Sequence, residues 1–299
     1  MPSQLLKTVS SFVLVIALTS CATLPPAQTQ LRETDDLAVV ASDAMEMAGR
    51  YGTDQVLVVF DIDNTLLAME QGLGSDQWYD WQKELQAENP CSAMLVSNRL
   101  AVQGALYFAS AMRPTQPDAA EQLRRLQDAG FTVIALTSRG PDFRLATFRE
   151  LRRNEFSFWP NALPPQSGYA EEFVPEGGSR PARYEEGVFL TAGQHKGDML
   201  KALLNKTGSS FPSVVVMADD KEHHLKAVME TFADSTTAIH AWRYNREDST
   251  VASLNPETIN EHWQALRPAL QKIQLLMGPD NFDFPQYVVP EGCGSPRDT

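Results

Sequence analysis

The sequence predicts an α/β fold in which helices flank a parallel β-sheet and a helical insertion follows the first strand of that sheet. Short runs of β-branched and aromatic residues recur along the chain, and their continuous apolar character is typical of strands buried on both faces. Segments with apolar residues at helical spacing alternate with these runs, which favours parallel pairing through right-handed crossovers. The 43 % hydrophobic content of the 299 residues is that of a globular protein and excludes a disordered chain.

The order of these segments divides the chain into a core, an insertion and a tail. Residues 67–115 are rich in helix formers and aromatic residues and show no convincing strand, so they form the predicted insertion. Residues 159–186 are rich in Pro, Gly and charge and are predicted to be a long loop, a feature that is often functional in a compact domain. The core is therefore assigned to residues 35–66 and 116–276, and the tail to residues 277–299. The predicted strands are 55–60, 131–136, 188–191, 213–218 and 237–242, and the predicted helices are 34–50, 118–129, 197–205, 222–232 and 256–276.

The amino terminus is typical of an exported protein. Residues 1–20 have a basic start, an apolar run too short to span a bilayer, and small residues at the end. Residues 18–21 have the sequence Leu-Thr-Ser-Cys, which resembles the lipobox of bacterial lipoproteins. That resemblance implies cleavage before Cys21, a lipid on that cysteine and attachment to the cell envelope, at the outer rather than the inner membrane. A plain signal peptide and an N-terminal anchor helix are the alternatives, and residues 21–34 are predicted to be a flexible tether.

Charge and cysteine content narrow the function further. The net charge of −13 excludes a nucleic-acid polymer as partner, because phosphate backbones are held by clustered Lys and Arg. If Cys21 carries lipid, Cys91 and Cys293 remain of the three cysteines, and in an oxidising compartment they could form a disulfide. Two unrelated thiols are the alternative that the sequence leaves open.

The first predicted strand is followed directly by two carboxylates, Asp61 and Asp63. Such a pair suits phosphoryl transfer, in which one carboxylate attacks phosphorus, the other donates a proton to the leaving oxygen, and a divalent cation screens the phosphate charge. A calcium-binding EF-hand loop is the main competing interpretation. That loop needs Gly at its sixth position and Glu at its twelfth, where this chain has Leu66 and Gly72, so it is excluded.

Three further polar motifs lie at later strand ends or helix starts. The second strand ends at Thr137, whose hydroxyl could hydrogen-bond a phosphoryl oxygen, with Ser138 as the alternative. Lys196 opens a predicted helix, where its charge adds to the helix dipole. Asp219 and Asp220 end the fourth strand and would complete an oxygen-rich Mg²⁺ site. Because ligands gather at the carboxyl ends of parallel strands, these motifs are predicted to converge.

In this order, the four motifs resemble those of the haloacid dehalogenase superfamily, whose phosphatases carry Asp-x-Asp-x-Thr/Val at the end of the first strand. The resemblance covers roughly residues 55–243. It implies that Asp61 forms an aspartyl-phosphate and that Asp63 transfers the proton. It also implies that Mg²⁺ is bound by Asp61, the main-chain carbonyl of Asp63 and Asp220, with Asp219 as an outer or alternate ligand.

The resemblance further implies that Thr137 and Lys196 hold the phosphoryl oxygens and that the insertion acts as a cap which selects the substrate. The family often has Asp or Asn four residues after its metal ligand, where this chain has His224. This departure affects the outer shell of the metal. The neighbouring histidines, His223 and His224, are expected to point apart on a helix, and the histidine spacing shows no zinc pattern.

Three residues are weaker candidates for substrate contact. Trp78 and Trp81, three apart on a predicted helix, could stack a base or sugar, or could form the core of the insertion itself. Arg139 follows the phosphate motif and could meet a second anionic group, or could be an ordinary structural arginine.

The leading hypothesis is therefore a Mg²⁺-dependent phosphomonoesterase of the bacterial cell envelope, acting on small phosphorylated substrates, with nucleotides as one option. The first alternative is a lipoprotein that keeps the fold but serves as a binding or adhesion module. Two close carboxylates that repel each other, Asp61 and Asp63, count against it. The second alternative is phosphotransfer to an acceptor alcohol.

Overall fold

The five predicted apolar runs form five adjacent strands of one mostly parallel sheet in the computed structural model, which describes residues 26–277 and residue 293. The predicted α/β architecture is thereby confirmed. Every residue of Val56–Phe60 and of Val214–Asp219 is buried, as expected of strands covered on both faces.

Most predicted elements lie within a few residues of their expected positions. The strands are β1 (Gln30–Thr34), β2 (Val56–Phe60), β3 (Leu67–Met69), β4 (Met112–Pro114), β5 (Thr132–Thr137), β6 (Arg183–Glu185), β7 (Val188–Leu190), β8 (Val214–Asp219) and β9 (Ala238–Tyr244). The helices are α1 (Leu37–Tyr51), α2 (Asp76–Glu88), α3 (Arg99–Ala109), α4 (Ala119–Asp128), α5 (Arg144–Arg153), α6 (Lys196–Thr207), α7 (Glu222–Thr231), α8 (Asp248–Ala252) and α9 (Pro256–Met277).

The main sheet has seven strands in the order β1-β9-β8-β2-β5-β7-β6. All neighbours in it are parallel except β6, which runs antiparallel to β7 at one edge. Phe60 of β2 pairs with Ala135 of β5 and with Ala218 of β8, so the residues that follow emerge at the same edge. This register brings the polar motifs of three strands together.

Two apolar clusters hold helices on opposite faces of the sheet. Side chains of α1, α4 and α5 pack with Val58 and Phe60 on one face. Side chains of α6 and α7 pack with Leu57 and Val59 on the other. Successive residues of β2 thus enter alternate clusters, as the two-residue period of a strand requires.

The prediction of a flexible tether over residues 21–34 was wrong at its carboxyl end, where β1 pairs in parallel with β9. Leu31 is the one apolar residue of β1, so no apolar run marked this edge strand, which is held mainly by its backbone ladder. Side chains add to the attachment. Gln30 Nε2 lies 2.9 Å from Nδ1 of His240 on β9. This Nδ1 of His240 lies 2.9 Å from Oδ2 of buried Asp43 on α1.

The insertion contains α2 and α3 as predicted, but also two strands that the sequence did not indicate. The three-residue strands β3 and β4 pair antiparallel, and they are too short to show a period in the sequence. Trp78 and Leu106 of the insertion join Trp263 of α9 in a third apolar cluster. The predicted loop over residues 159–186 likewise includes one short strand, β6.

Cys91 and Cys293, whose pairing the sequence left open, form a disulfide with their Cα atoms 5.4 Å apart. It links the insertion, between α2 and α3, to the chain beyond α9. The predicted signal peptide over residues 1–20, the predicted lipid-bearing Cys21, and the predicted tail apart from Met277 and Cys293 lie outside the described residues. No helix within the described part of the chain has both the length and the apolarity that a membrane crossing requires.

Candidate functional site

A cavity of about 690 Å³ lies at the carboxyl ends of the central strands. Its wall includes Asp61 after β2 and Arg139 after β5, together with Asp76 and Tyr107 of the insertion. The insertion and the sheet edge therefore enclose one site, as the convergence of the strand-end motifs predicted.

A tight turn after β2 aims the first motif into this cavity. The carbonyl of Ile62 accepts hydrogen bonds from the backbone N–H groups of Leu66 and Leu67. Asn64 adopts a left-handed conformation with φ of 55°, which Asn tolerates better than most residues. The Thr65 hydroxyl accepts a 3.0 Å hydrogen bond from the Asp220 N–H, so the turn is fastened to the end of β8.

Lys196 lies between two carboxylates at the bottom of the site. Its Nζ is 2.8 Å from Oδ1 of Asp61 and 2.6 Å from Oδ2 of Asp219, and all three side chains are buried. Burial disfavours the charge of Lys196, but the two carboxylates outweigh that effect and raise its pKa above the usual value. The first and third motifs predicted from the sequence are thus in direct contact.

The carboxylates of this cluster differ in their titration. Burial raises the pKa of Asp61 to about 6, and Lys196 offsets part of the rise. Burial also acts on Asp219, but Lys196 and His224 lower the pKa of that group below its usual range. Burial, with Asp219 and Asp61 nearby, raises the pKa of Asp220 well above its usual value.

Asp63 has a different environment from Asp61. Arg139 donates from Nε to Oδ2 and from Nη2 to Oδ1, both at 2.8 Å, and Tyr107 donates from its hydroxyl to Oδ1 at 2.8 Å. Arg139 also donates to the Thr147 hydroxyl at 2.9 Å and is buried. Burial opposes the charge of Asp63, but Arg139 and Tyr107 outweigh it and lower the pKa of this carboxyl.

A divalent cation fits the donors around Asp61. Asp61, Asp219 and His224 each offer one ligand atom, and these atoms lie within 4.8 Å of one another. Oδ1 of Asp220 is buried and has no hydrogen-bond partner among the described residues, as expected of an oxygen that completes a cation site. Oxygen-rich donor sets of this kind suit Mg²⁺, and one imidazole widens the choice toward transition metals.

Sequence reasoning missed the residues with which the insertion reaches the site. Lys221 Nζ lies 2.5 Å from Oδ2 of both Asp76 and Asp80 on α2, and Tyr107 on α3 contacts Asp63. Asp76 and Asp80 are four positions apart and so share one face of α2, which the sequence alone could have indicated. Nothing local in the sequence pairs them with Lys221.

A protein family described as "Protein of unknown function (DUF2608)" matches residues 34–275, from the end of β1 to near the end of α9. The chain belongs to this family. No curated protein matches the chain. All the site residues of this DUF2608 protein lie inside the matched range.

The structure corrects several predicted substrate contacts in the DUF2608 protein. Trp78 is fully buried and Trp81 packs beside it in the cluster shared with α9, so the alternative of a core role is the right one. The face of α2 that lines the cavity carries Tyr79 and Asp80 instead. Arg139 does not present a free charge for a second anion, because Asp63 occupies its guanidinium.

Two further expectations change in detail. Ser138 lines the cavity of the DUF2608 protein, whereas the buried Thr137 hydroxyl accepts a 3.2 Å hydrogen bond from the Arg139 N–H. His223 and His224 do not point apart, since their ring centroids are 4.2 Å apart and both residues line the cavity. His224 Nδ1 lies 3.1 Å from Oδ1 of Asp219, a contact that turns this ring toward the end of β8 and the cavity.

Proposed function

We propose that this protein is a metal-dependent phosphomonoesterase of the haloacid dehalogenase type that hydrolyses small phosphate esters through an aspartyl-phosphate on Asp61. The observation that carries the proposal is the contact of Lys196 with both Asp61 and Asp219 at the carboxyl edge of a parallel sheet. Lys196 offsets part of the charge of these two carboxylates, and together with a bound divalent cation it would outweigh them and attract a phosphate into an acidic protein. Asp63 and Ser138 line the same cavity.

In the first step, a carboxylate oxygen of Asp61 attacks phosphorus and the bond from phosphorus to the ester oxygen breaks. The leaving oxygen takes a proton from Asp63, and the phosphoryl group remains on Asp61. A pKa of about 6 leaves Asp61 ionised at neutral pH and more basic than an exposed aspartate, which suits a nucleophile. Lys196 and the Ser138 hydroxyl are the groups proposed to stabilise the equatorial oxygens.

In the second step, water attacks phosphorus, Asp63 takes its proton, and the bond from phosphorus to Asp61 breaks. The ionised state that Arg139 and Tyr107 impose on Asp63 is the state a base requires. The same lowered pKa makes Asp63 a poor proton donor in the first step. We therefore expect esters with acidic alcohols, such as aryl phosphates, to react faster than alkyl phosphates.

Asp61 and Asp220 are the proposed ligands of Mg²⁺, with Asp219 and His224 beside them. When bound, the cation neutralises charge on the phosphoryl oxygens. The insertion over residues 67–115 is proposed to act as the cap, since it supplies Tyr107 and Asp76 to the cavity wall. We also propose that the protein is a lipoprotein of the cell envelope, a location that the Cys91–Cys293 disulfide supports because such bonds persist in oxidising compartments.

The test is phosphate release from p-nitrophenyl phosphate, nucleotides and sugar phosphates, with Mg²⁺ or EDTA. Release that requires Mg²⁺ and vanishes in Asp61→Asn supports the proposal, while Asp128→Asn, an exposed change on α4, keeps full activity. No release from any substrate by folded, Mg²⁺-bound protein would contradict it and favour a binding module. Added glycerol that captures phosphate as glycerol phosphate would point to phosphotransfer.

A further inference from the structure

Four arginine and lysine side chains line the cavity, and three of them are paired with carboxylates. Arg139 is held by Asp63, Lys221 by Asp76 and Asp80, and Lys83 Nζ lies 3.8 Å from Oδ1 of Asp80. The fourth, Arg180, differs. No carboxylate oxygen of the described residues lies within 4.0 Å of its guanidinium, so its charge faces the cavity without an internal counter-ion.

The backbone of Arg180 is held firmly although its side chain is exposed. The buried Gln194 side chain accepts from the N–H groups of Ser179 and Arg180 at 2.7 and 3.0 Å, and it donates to the Arg180 carbonyl at 3.0 Å. The same Gln194 amide donates to the Thr191 carbonyl at 2.8 Å, which fastens the loop to the segment after β7. A segment predicted as a long loop is thus fixed where it meets the site.

The guanidinium itself lies beside Gly193, which also neighbours Ser138. Arg180 Nη2 donates a 3.1 Å hydrogen bond to the carbonyl of Gly193. A Cβ built on Gly193 would lie 3.9 Å from that Nη2 and 4.0 Å from the Ser138 carbonyl, so Arg180 and Ser138 flank the same glycine. One hydrogen bond to a backbone carbonyl leaves the remaining N–H groups of Arg180 available to a ligand.

We infer that Arg180 is a specificity residue that selects phosphomonoesters carrying a second anionic group, a carboxylate or another phosphate, on the part of the substrate that leaves. The inference rests on the proposed phosphatase function. An arginine recognises both anions through two parallel N–H bonds, and an arginine without an internal partner does not have to break an ion pair first. The sequence suggested that Arg139 binds a second anionic group. We assign that contact to Arg180, because the Arg139 guanidinium is paired with Asp63.

The test compares substrates that differ only in the second anion: glycerol phosphate with phosphoglycerate, and glucose phosphate with glucose bisphosphate. In Arg180→Gln we expect kcat/KM to fall about tenfold or more for phosphoglycerate and the bisphosphate, mainly through KM, and less than about twofold for the other two. Arg180→Lys restores part of the loss, and Arg180→Glu shifts preference toward phosphoethanolamine. Arg124→Gln, an exposed change of the same charge on α4, leaves all ratios unchanged.

The two pairs distinguish a carboxylate from a phosphate as the preferred second anion. An equal loss on all substrates would overturn the inference, since Arg180 would then contact the transferred phosphoryl group. Unchanged ratios in every Arg180 variant would also overturn it. In both cases the wild-type protein still releases phosphate, whereas failure of the proposed function would appear as no release by the wild-type protein at all.

Discussion

Asp61 and Asp63 are two residues apart, yet their environments move their pKa values in opposite directions. Burial dominates at Asp61 and raises its pKa to about 6, whereas Arg139 and Tyr107 lower the pKa of Asp63. Two carboxylates separated in this way take different roles in a reaction. The more basic one suits attack on phosphorus, and the one held ionised suits activation of water.

Removal of the Tyr107 hydroxyl tests this division of roles. In Tyr107→Phe, Asp63 loses one donor that stabilises its charge, so its pKa rises and it stays protonated to higher pH. For an alkyl phosphate, whose leaving oxygen needs a proton, the alkaline limb of kcat/KM is expected to move to higher pH. The pH profile of kcat/KM measures this shift.

Tyr169→Phe is the matched control, because Tyr169 donates to the Lys206 carbonyl outside the cavity. Its pH profile should equal that of the unchanged protein. An alkaline limb that stays in place, or moves to lower pH, in Tyr107→Phe would contradict proton donation by Asp63 to the leaving oxygen.

At the scale of residues, the sequence was sufficient for those that sit at strand ends and insufficient for those that reach across the fold. Asp61, Lys196 and Asp219 could be found because an apolar run or a helix start precedes each one. Tyr107 could not, because it stands 44 positions from Asp63 and meets it only through the packing of the insertion. The choice between Thr137 and Ser138 depends on side-chain direction at the end of β5, which sequence does not give.

Among the elements, the insertion is held by three attachments of different kinds. An apolar cluster packs the insertion against α9, Lys221 binds α2 through Asp76 and Asp80, and a disulfide joins Cys91 to Cys293. The disulfide closes a long loop, with a separation of 202 residues.

Loss of this disulfide is expected to lower the free energy of unfolding. In the chain-entropy model a loop of this length corresponds to about 5 kcal/mol, which is an upper bound because native structure relaxes after the bond is lost. Cys91→Ser, Cys293→Ser and the double variant should give the same lower Tm in thermal denaturation, since each removes the same bond. A Tm that is equal with and without reductant in the unchanged protein would contradict this.

Element by element, long buried strands were predictable and short or edge strands were not. β2 and β8 are apolar throughout, a pattern that burial on both faces imposes. The edge strand β1 and the three-residue β3 and β4 are stabilised by backbone pairing, which leaves little trace in residue type.

For the molecule as a whole, the chain is acidic, and three of its carboxylates meet at the proposed cation site. The net charge is −13, and Asp61, Asp219 and Asp220 meet at one strand edge with Lys196 as their main internal counter-ion. A bound divalent cation would relieve this repulsion and so stabilise the folded state.

Mg²⁺ is therefore expected to raise the Tm. At a concentration a hundred times its Kd, binding would add about 2.7 kcal/mol to the free energy of unfolding. Asp61→Asn should remove most of the rise. Because protons compete for Asp61, whose pKa is about 6, the stabilisation should shrink as the pH falls from neutral to below that value. KCl at matched ionic strength controls for general screening of charges. An equal rise in Tm with KCl, or an undiminished rise with Mg²⁺ in Asp61→Asn, would contradict a specific cation site.

The edge strand β1 limits how far the folded protein can lie from a membrane anchor at Cys21. Gln30, the first residue of β1, comes nine positions after Cys21, and an extended chain covers at most about 3.5 Å per residue. If Cys21 carries lipid as proposed, the chain between the lipid and the first residue of β1 spans at most about 30 Å. The folded protein would then stay close to the bilayer and would meet solutes that reach that surface, not solutes farther away.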